Sequence, residues 1–246
     1  MSTTTTRVAV VTGGSRGIGR GVVRRLAADG FAVVVGYAGK RDEADAAVEE
    51  VVGAGGRALA VQADVADEAA VAAMFEGAEE AFGGVDVVVH AAGRMTLSPV
   101  AELDLADLDA LHRTNVRGTF VVAQQVARRV RAGGALVLFS TSVLGRPLPS
   151  YGAYAASKGA VEALTAVLAK EWRGRDITVN AVAPGPVATD LFLEGKSPEL
   201  LARLADEPPM QRLGTPEDVA GLVAFLAGPD GRWIHGQVVR ANGGLV

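Results

Sequence analysis

RVAVVTGGSRGIGRGVVRRLAADGFAVVVG, residues 7–36, is the stretch on which the fold turns. Arg7–Val11 is a short β-branched run ending in Thr12-Gly13-Gly14, and a helical pattern with Ile18, Val22, Val23 and Leu26 follows. Ala32–Gly36 (AVVVG) then reads as a second buried strand. Strand, glycine turn, helix and strand make a βαβ unit, which is right-handed in a parallel sheet. The turn itself, TGGSRGIG at 12–19, has glycines at 13, 17 and 19. A loop without side chains lets the backbone approach a pyrophosphate, and the helix start offers unpaired N–H groups at a positive dipole end. Gly13, Ser15, Arg16, Gly17, Ile18 and Gly19 are therefore candidate contacts to a dinucleotide. Their spacing departs from G-x-G-x-x-G, and a tight turn in a glycine-rich chain is the bland alternative. Position at the first βα junction favours the ligand, because such crevices are where nucleotides bind.

Outward from this unit the alternation continues. A helix is expected over Asp42–Val52, a strand over Arg57–Gln62, a helix over Glu68–Phe82 and a strand over Val85–His90. One long helix from about Leu105 to Arg131 carries Asn115, and Ala135–Phe139 (ALVLF) is the next strand. Tyr151–Trp172 reads as a helix, Ile177–Val182 as a strand, Pro216–Leu226 as a helix and Gln237–Arg240 as a last strand. Seven strands alternating with helices predict a single α/β domain over 1–246, a Rossmann-type doubly wound parallel sheet with helices on both faces. The proline-rich stretch Pro184–Gly214 breaks the rhythm, and 186–214 is expected to be a substrate loop with a short helical insert.

Composition narrows the function. The chain is 49% hydrophobic but 5% aromatic, so Ala, Val and Leu must fill the core. A net charge of −4 with scattered basic residues leaves no footprint for nucleic acid or an anionic membrane. There are no cysteines, which excludes thiolate chemistry and fits a reducing cytoplasm. His90, His112 and His235 are far apart and in no metal-ligand spacing, so no metal is expected. Met1–Arg7 is a Ser/Thr run without the apolar region of a secretory signal, and a cytoplasmic location is the expectation.

An acidic residue after the second strand would hold a ribose hydroxyl and repel a phosphate. Here the sequence is Gly36-Tyr37-Ala38-Gly39-Lys40-Arg41, with no acid before Asp42. Tyr37, Lys40 and Arg41, with Arg16 in the glycine loop, favour NADP(H) over NAD(H), although either of Lys40 and Arg41 alone could be a solvated loop charge.

Tyr154 and Lys158 lie four apart on a helical pattern and so share a face. An ammonium beside a phenol favours the phenolate, bringing a group of pKa near 10 toward acid/base use. The strand before them ends in Ser140-Thr141-Ser142, hydroxyls at the carboxyl edge of the sheet, and Asn115 is a poor helix former placed inside a helix. Each alone reads as packing or capping; together they read as a site.

Taken as a set, these residues resemble the short-chain dehydrogenase/reductase family from about Arg7 to Val246. The chain looks most like bacterial 3-oxoacyl-acyl carrier protein reductases and related broad ketone reductases. The resemblance implies that Asn115, Ser142, Tyr154 and Lys158 are a catalytic tetrad and that Asp64 and Val65 contact the adenine. It further implies that Asn180–Gly185 (NAVAPG, with Pro184 and Gly185), followed by Val187 and Thr189, holds the nicotinamide carboxamide. Ser142 would hold the carbonyl oxygen, Tyr154 exchange the proton, Lys158 bind the nicotinamide ribose and lower the tyrosine pKa, and Asn115 hold a water toward solvent. Two departures stand out. His90-Ala91-Ala92-Gly93 replaces the family's Asn-Asn-Ala-Gly beside the cofactor, so His90 is expected to substitute a structural hydrogen bond. Ser142 aligns through Val143-Leu144-Gly145, yet its interval to Tyr154 is one residue short, leaving Ser140 or Thr141 as alternative hydroxyls.

The expected activity is thus an NADP(H)-dependent ketoreductase acting on a small-molecule ketone or secondary alcohol. Alternatives are an NAD-linked dehydrogenase of a sugar or steroid alcohol, or a non-catalytic dinucleotide sensor of the same fold. Arg94, Met95, Leu144, Pro149, Tyr151, Pro186, Leu191 and Phe192 are candidates for an apolar substrate pocket. By the same resemblance the chain is expected to form a homotetramer, or a homodimer, through a segment like Trp233–Val246.

Overall fold

The computed structural model describes residues 6–246, so the opening Ser/Thr run and the signal-sequence expectation fall almost wholly outside the described residues. Seven parallel strands form one sheet in the order β3-β2-β1-β4-β5-β6-β7. They are β1 (Val8–Thr12), β2 (Ala32–Tyr37), β3 (Arg57–Gln62), β4 (Val85–His90), β5 (Val130–Phe139), β6 (Thr178–Pro184) and β7 (Val238–Ala241). The helices are α1 (Gly17–Ala28), α2 (Arg41–Gly53), α3 (Glu68–Phe82), α4 (Leu105–His112), α5 (Gly118–Arg129), α6 (Gly152–Glu171), α7 (Asp190–Leu193), α8 (Pro198–Asp206) and α9 (Pro216–Ala227).

Successive residues of a strand face opposite sides, and both sides are dry here. Val8, Val10, Val34, Leu136, Leu138 and Val179 face a core shared with Met74 and Phe75 of α3, Val122 and Val126 of α5, and Leu164 and Leu168 of α6. Ala9, Val11, Val33, Val35, Val137 and Val182 face the opposite core, with Leu26 of α1, Val51 of α2 and Val223 and Leu226 of α9. The chain leaves β1 first toward β2 and β3 and later toward β4, so the order reverses between β1 and β4. A crevice opens there at the carboxyl ends of the strands.

Two boundaries differ from the sequence reading. The helix expected over Leu105–Arg131 is interrupted by a π turn at Arg113–Arg117, which contains Asn115, and it stops at Arg129. Such single wide turns concentrate at functional positions. β5 begins at Val130 rather than Ala135, because Val85 pairs with Val130 while Val87 pairs with Ala135 and the intervening residues bulge out around Gly133, whose φ is +81°. In the 186–214 insert, α7 and α8 form the expected helical piece, α8 being capped by the Ser197 hydroxyl with Pro198 in its first turn.

Candidate active site

A crevice of about 480 Å³ at the switch point is walled by Gly13, Ser15–Gly19, Tyr37, Lys40, Asp64, Val65 and Ala91–Gly93. It adjoins a second cavity of about 190 Å³ that contains Tyr154 and Lys158; Ile18, Ala91, Gly93, Arg94, Thr189 and Leu191 border both. The cradle is built from backbone. A Cβ on Gly13, whose φ is +66°, would sit 2.8 Å from the Ala92 nitrogen, and one on Gly19 would sit 2.1 Å from the Gly13 carbonyl oxygen. Arg16, at the cap position of α1, is extended and offers no side-chain cap, so the first amides of α1 are free to meet an anion. A glycine cradle opposite uncapped helix amides fits a dinucleotide pyrophosphate.

The cations are placed unequally. Arg16 is exposed on the crevice wall and makes no ion pair among the described residues. Lys40 also lines the crevice, 2.8 Å from Glu43. The expectation for Arg41 is revised: it pairs with Asp45 one turn along α2 at 3.3 Å and lies off the crevice wall. At the adenine end, Asp64 accepts from the Ala66 amide at 2.9 Å and pairs with Arg113, a crevice residue the sequence reading missed.

The other cavity is lined by Thr141, Ser142, Tyr154 and Lys158, with Pro184, Gly185, Val187 and Thr189, of which Thr189 also borders the crevice. Lys158 is 7% exposed and donates to the Phe139 carbonyl at 2.8 Å; its ammonium lies 6.0 Å from the Tyr154 ring centre. Burial pulls Lys158 down to about 8. Burial pushes the Tyr154 phenol up to about 12, against the neighbouring Thr141 hydroxyl, which lowers it, and with a further upward push from Tyr151.

The three hydroxyls of Ser140-Thr141-Ser142 have three different partners. Ser140 donates to Glu162 on α6 at 2.6 Å. Ser142 donates to the Ala183 carbonyl and accepts from the Asn242 amide, both at 3.1 Å. Thr141 lies near enough to the Tyr154 phenol to lower its pKa and accepts from the Val143 amide at 3.3 Å, capping a one-turn 3-10 helix over Ser142–Leu144. The hydroxyl set against the phenol is therefore that of Thr141. Ser142, though it lines the same cavity, has its hydroxyl engaged by Ala183 and Asn242, and Thr141 is one of the alternatives left open by the one-residue shortfall in the interval to Tyr154.

Asn115 is 1% exposed and lies behind the cavity rather than on its wall. Its side chain clamps the Arg94 backbone, accepting from the amide at 2.8 Å and donating to the carbonyl at 2.9 Å, and also donates to Ser157 at 3.0 Å. Ser157 donates in turn to the Tyr154 carbonyl at 2.8 Å, so Asn115 braces both the crevice floor and α6. His90 does what its place in the motif suggested. Its Nδ1 shares a 2.8 Å hydrogen bond with the Thr12 hydroxyl, which accepts from the Ala92 amide at 3.3 Å. Burial, with the Lys158 charge, lowers His90 to about 3, so it is a neutral ring in the sheet.

Away from Thr141, Tyr154 and Lys158 the lining of this cavity is mostly apolar. Arg94, Met95, Tyr151, Pro186, Leu191 and Phe192 line it as expected; Leu144 and Pro149 do not, while Leu148, Leu204 and Leu245 do. Arg146 and Glu207, also on its lining, pair at 2.5 Å. Among the described residues no cluster of His, Asp and Glu could hold a metal, and no helix is long and apolar enough to cross a membrane.

A family model described as enoyl-(acyl carrier protein) reductase matches residues 13–246. An NADPH-dependent aldehyde reductase-like chloroplastic protein of Arabidopsis thaliana is 42% identical, covering 98% of this chain and 94% of its own length. A short-chain type dehydrogenase/reductase of Picea abies is 43% identical, with 98% and 92% covered. The crystal structure of a Burkholderia cenocepacia short chain dehydrogenase in complex with NADP superposes with a TM-score of 0.91 at 40% identity, covering 97% of each chain.

Proposed function

Since the chain belongs to the short-chain dehydrogenase/reductase family, we propose that it is an NADP(H)-dependent carbonyl reductase, interconverting an apolar ketone or aldehyde and the alcohol. One observation carries the reading: Thr141, Tyr154 and Lys158 together line the cavity that shares Ile18, Ala91, Gly93 and Thr189 with the glycine-walled crevice. The pyrophosphate would rest on the Gly13–Gly19 loop and the amides of α1, the adenine beside Asp64 and Val65, and the 2′-phosphate between Arg16 and Lys40. The nicotinamide end would lie along Pro184–Thr189. Reduced nicotinamide supplies the hydride, and the side chains do the rest.

Thr141 and Tyr154 offer two hydroxyls to one carbonyl oxygen, orienting the carbon and stabilising the charge that grows on the oxygen. A phenol pushed up to about 12 holds its proton at neutral pH, so Tyr154 is a general acid toward the nascent alkoxide. Lys158, buried with its ammonium 6.0 Å from the ring centre, would supply positive charge beside a phenol parting with its proton. Asn115 and Ser157 hold α6 and the Gly93–Arg94 segment in register. The mostly apolar lining suits alkyl and aryl substituents better than the many hydroxyl groups of a sugar.

The test is a panel of ketones and aldehydes with NADPH and NADH, followed by absorbance of the reduced nicotinamide. Turnover of aryl or alkyl carbonyls with a preference for NADPH is expected. No turnover by a protein that binds NADPH would favour a sensor. A homotetramer, or homodimer, in the cytoplasm completes the proposal. The absence of cysteine supports the compartment, and exposed Trp233, Phe120 and Val167 support burial against a second copy. Light scattering in solution tests the assembly.

A further inference from the structure

The segment after β7 is folded with unusual economy for five residues. Asn242 donates from one amide nitrogen to the Ser142 hydroxyl at 3.1 Å and to the Val246 carbonyl at 3.3 Å, and its side-chain oxygen accepts from the Gly244 amide at 3.0 Å. Its own carbonyl accepts from the Leu245 amide at 3.3 Å. Gly243 and Gly244 follow one another in the left-handed region, with φ of +64° and +86°, a path that turns the chain back on itself. The returned segment meets bare backbone on one side: a Cβ on Gly145 would lie 2.9 Å from a Val246 methyl, and one on Gly185 would lie 2.8 Å from the Asn242 Cα. On the other side the Gly243 carbonyl accepts from the Met210 amide at 3.2 Å, and both glycines rest on Pro208, Pro209 and Met210.

The segment is thus gripped between the turn that follows the Thr141 hydroxyl and the exit of α8, and the side chain it sends inward is Leu245, on the wall of the carbonyl cavity with Phe192 and Leu204. This also accounts for Ser142, whose hydroxyl is engaged by the Ala183 carbonyl and the Asn242 amide. We propose that residues 242–246 are a fixed wall of the substrate cavity, that Asn242 is a positioning residue joining this wall to Ser142, and that Leu245 determines the size of the substituent accepted. The inference rests on the carbonyl reductase reading for its substrate. A cavity of about 190 Å³ leaves little slack, so each carbon added to or removed from its wall changes which substituent fits.

The experiment compares wild type with Leu245→Ala, Leu245→Phe and Asn242→Asp, the last keeping shape and acceptor while losing both donations. Two readouts are taken over a graded series of methyl ketones, from acetone to a naphthyl ketone. One is kcat/KM with NADPH; the other is calorimetric binding of the ketones to the complex with oxidised cofactor, which needs no turnover. Leu245→Ala is expected to raise the ratio of naphthyl to acetone kcat/KM about tenfold or more, and Leu245→Phe to lower it. Asn242→Asp should raise KM for the large ketones more than it lowers kcat, with NADPH affinity kept in all three. If both Leu245 variants bind NADPH normally and keep the wild-type size profile, the wall is refuted. If no ketone is turned over but size-dependent binding still follows Leu245, the wall stands and the reductase reading falls. Should Asn242→Asp fail to fold, the Leu245 pair decides the question alone.

Discussion

His90 carries a stability signature that can be worked out from its burial. The ring is 3% exposed, is held by Thr12, and has an Nε2 with no partner among the described residues. Its folded value lies near 3 against 6.5 for the free side chain, because burial, and then the Lys158 charge, penalise the imidazolium. The unfolded chain therefore binds the extra proton between these two values, and stability rises with pH across that window. Acidification from pH 7 to 5 should cost about 2 kcal/mol through this residue alone, at roughly 1.4 kcal/mol per unit once below 6.5, and the loss should level off near pH 3. The measurement is urea unfolding of wild type and His90→Asn at pH 7, 6 and 5, at one protein concentration; asparagine can hydrogen-bond but does not titrate. Wild type should lose about 2 kcal/mol more than the variant between pH 7 and 5. Equal losses in the two proteins would show that His90 is not held as a buried neutral ring.

Two further outcomes follow from the site geometry. Thr141→Ala should lower kcat about 10²- to 10³-fold, as loss of one donor to a developing oxyanion does, while Thr141→Ser restores most of it and Ser142→Ala acts chiefly on KM; a kcat loss confined to Ser142→Ala would reverse the assignment. Arg16→Ala and Lys40→Ala should each weaken NADPH about tenfold, the scale of one charge-assisted hydrogen bond, and leave NADH almost unchanged, whereas Arg41→Ala should do neither; fluorescence titration with both cofactors reads this directly.

The sheet was legible because strands buried on both faces spell themselves out as valine runs, Val33–Val35 and Val87–Val89 among them. The π turn at Arg113–Arg117 was not, since one widened turn hardly disturbs the spacing of apolar residues; the trace it left was an asparagine in a helix interior. The start of β5 was hidden by Gly133 and Gly134, which read as a loop and form a bulge. Arg41 looked like a phosphate ligand because sequence reports a charge and not its direction, and Asp45 four residues on takes it away from the crevice. Sequence alone does not separate Ser140, Thr141 and Ser142, because three adjacent hydroxyls differ only in where the chain turns after β5 and hence in the partners they meet. Arg113 and Leu245 reach the site from segments distant in sequence, with no local pattern to mark them.

The state of Tyr154 and Lys158 before cofactor binds fixes how the rate should respond to pH. In the free protein the phenol sits near 12 and the ammonium near 8, both moved by burial, so at pH 7 the pair is a neutral phenol beside a mostly charged lysine. That is the state reduction requires, with the proton in hand and the positive charge in place. Oxidation starts from the opposite need, a phenol already relieved of its proton, and must gain as pH rises. Because kcat/KM for NADPH reports groups of the free enzyme, it should stay level up to about pH 8 and then fall about tenfold per unit as Lys158 loses its charge, long before the phenol titrates. Lys158→Arg keeps a cation that does not titrate in this range and should remove the break, whatever it costs in absolute rate. A fall near pH 8 that survives in Lys158→Arg would assign the break to another group and leave the buried ammonium without the role given to it.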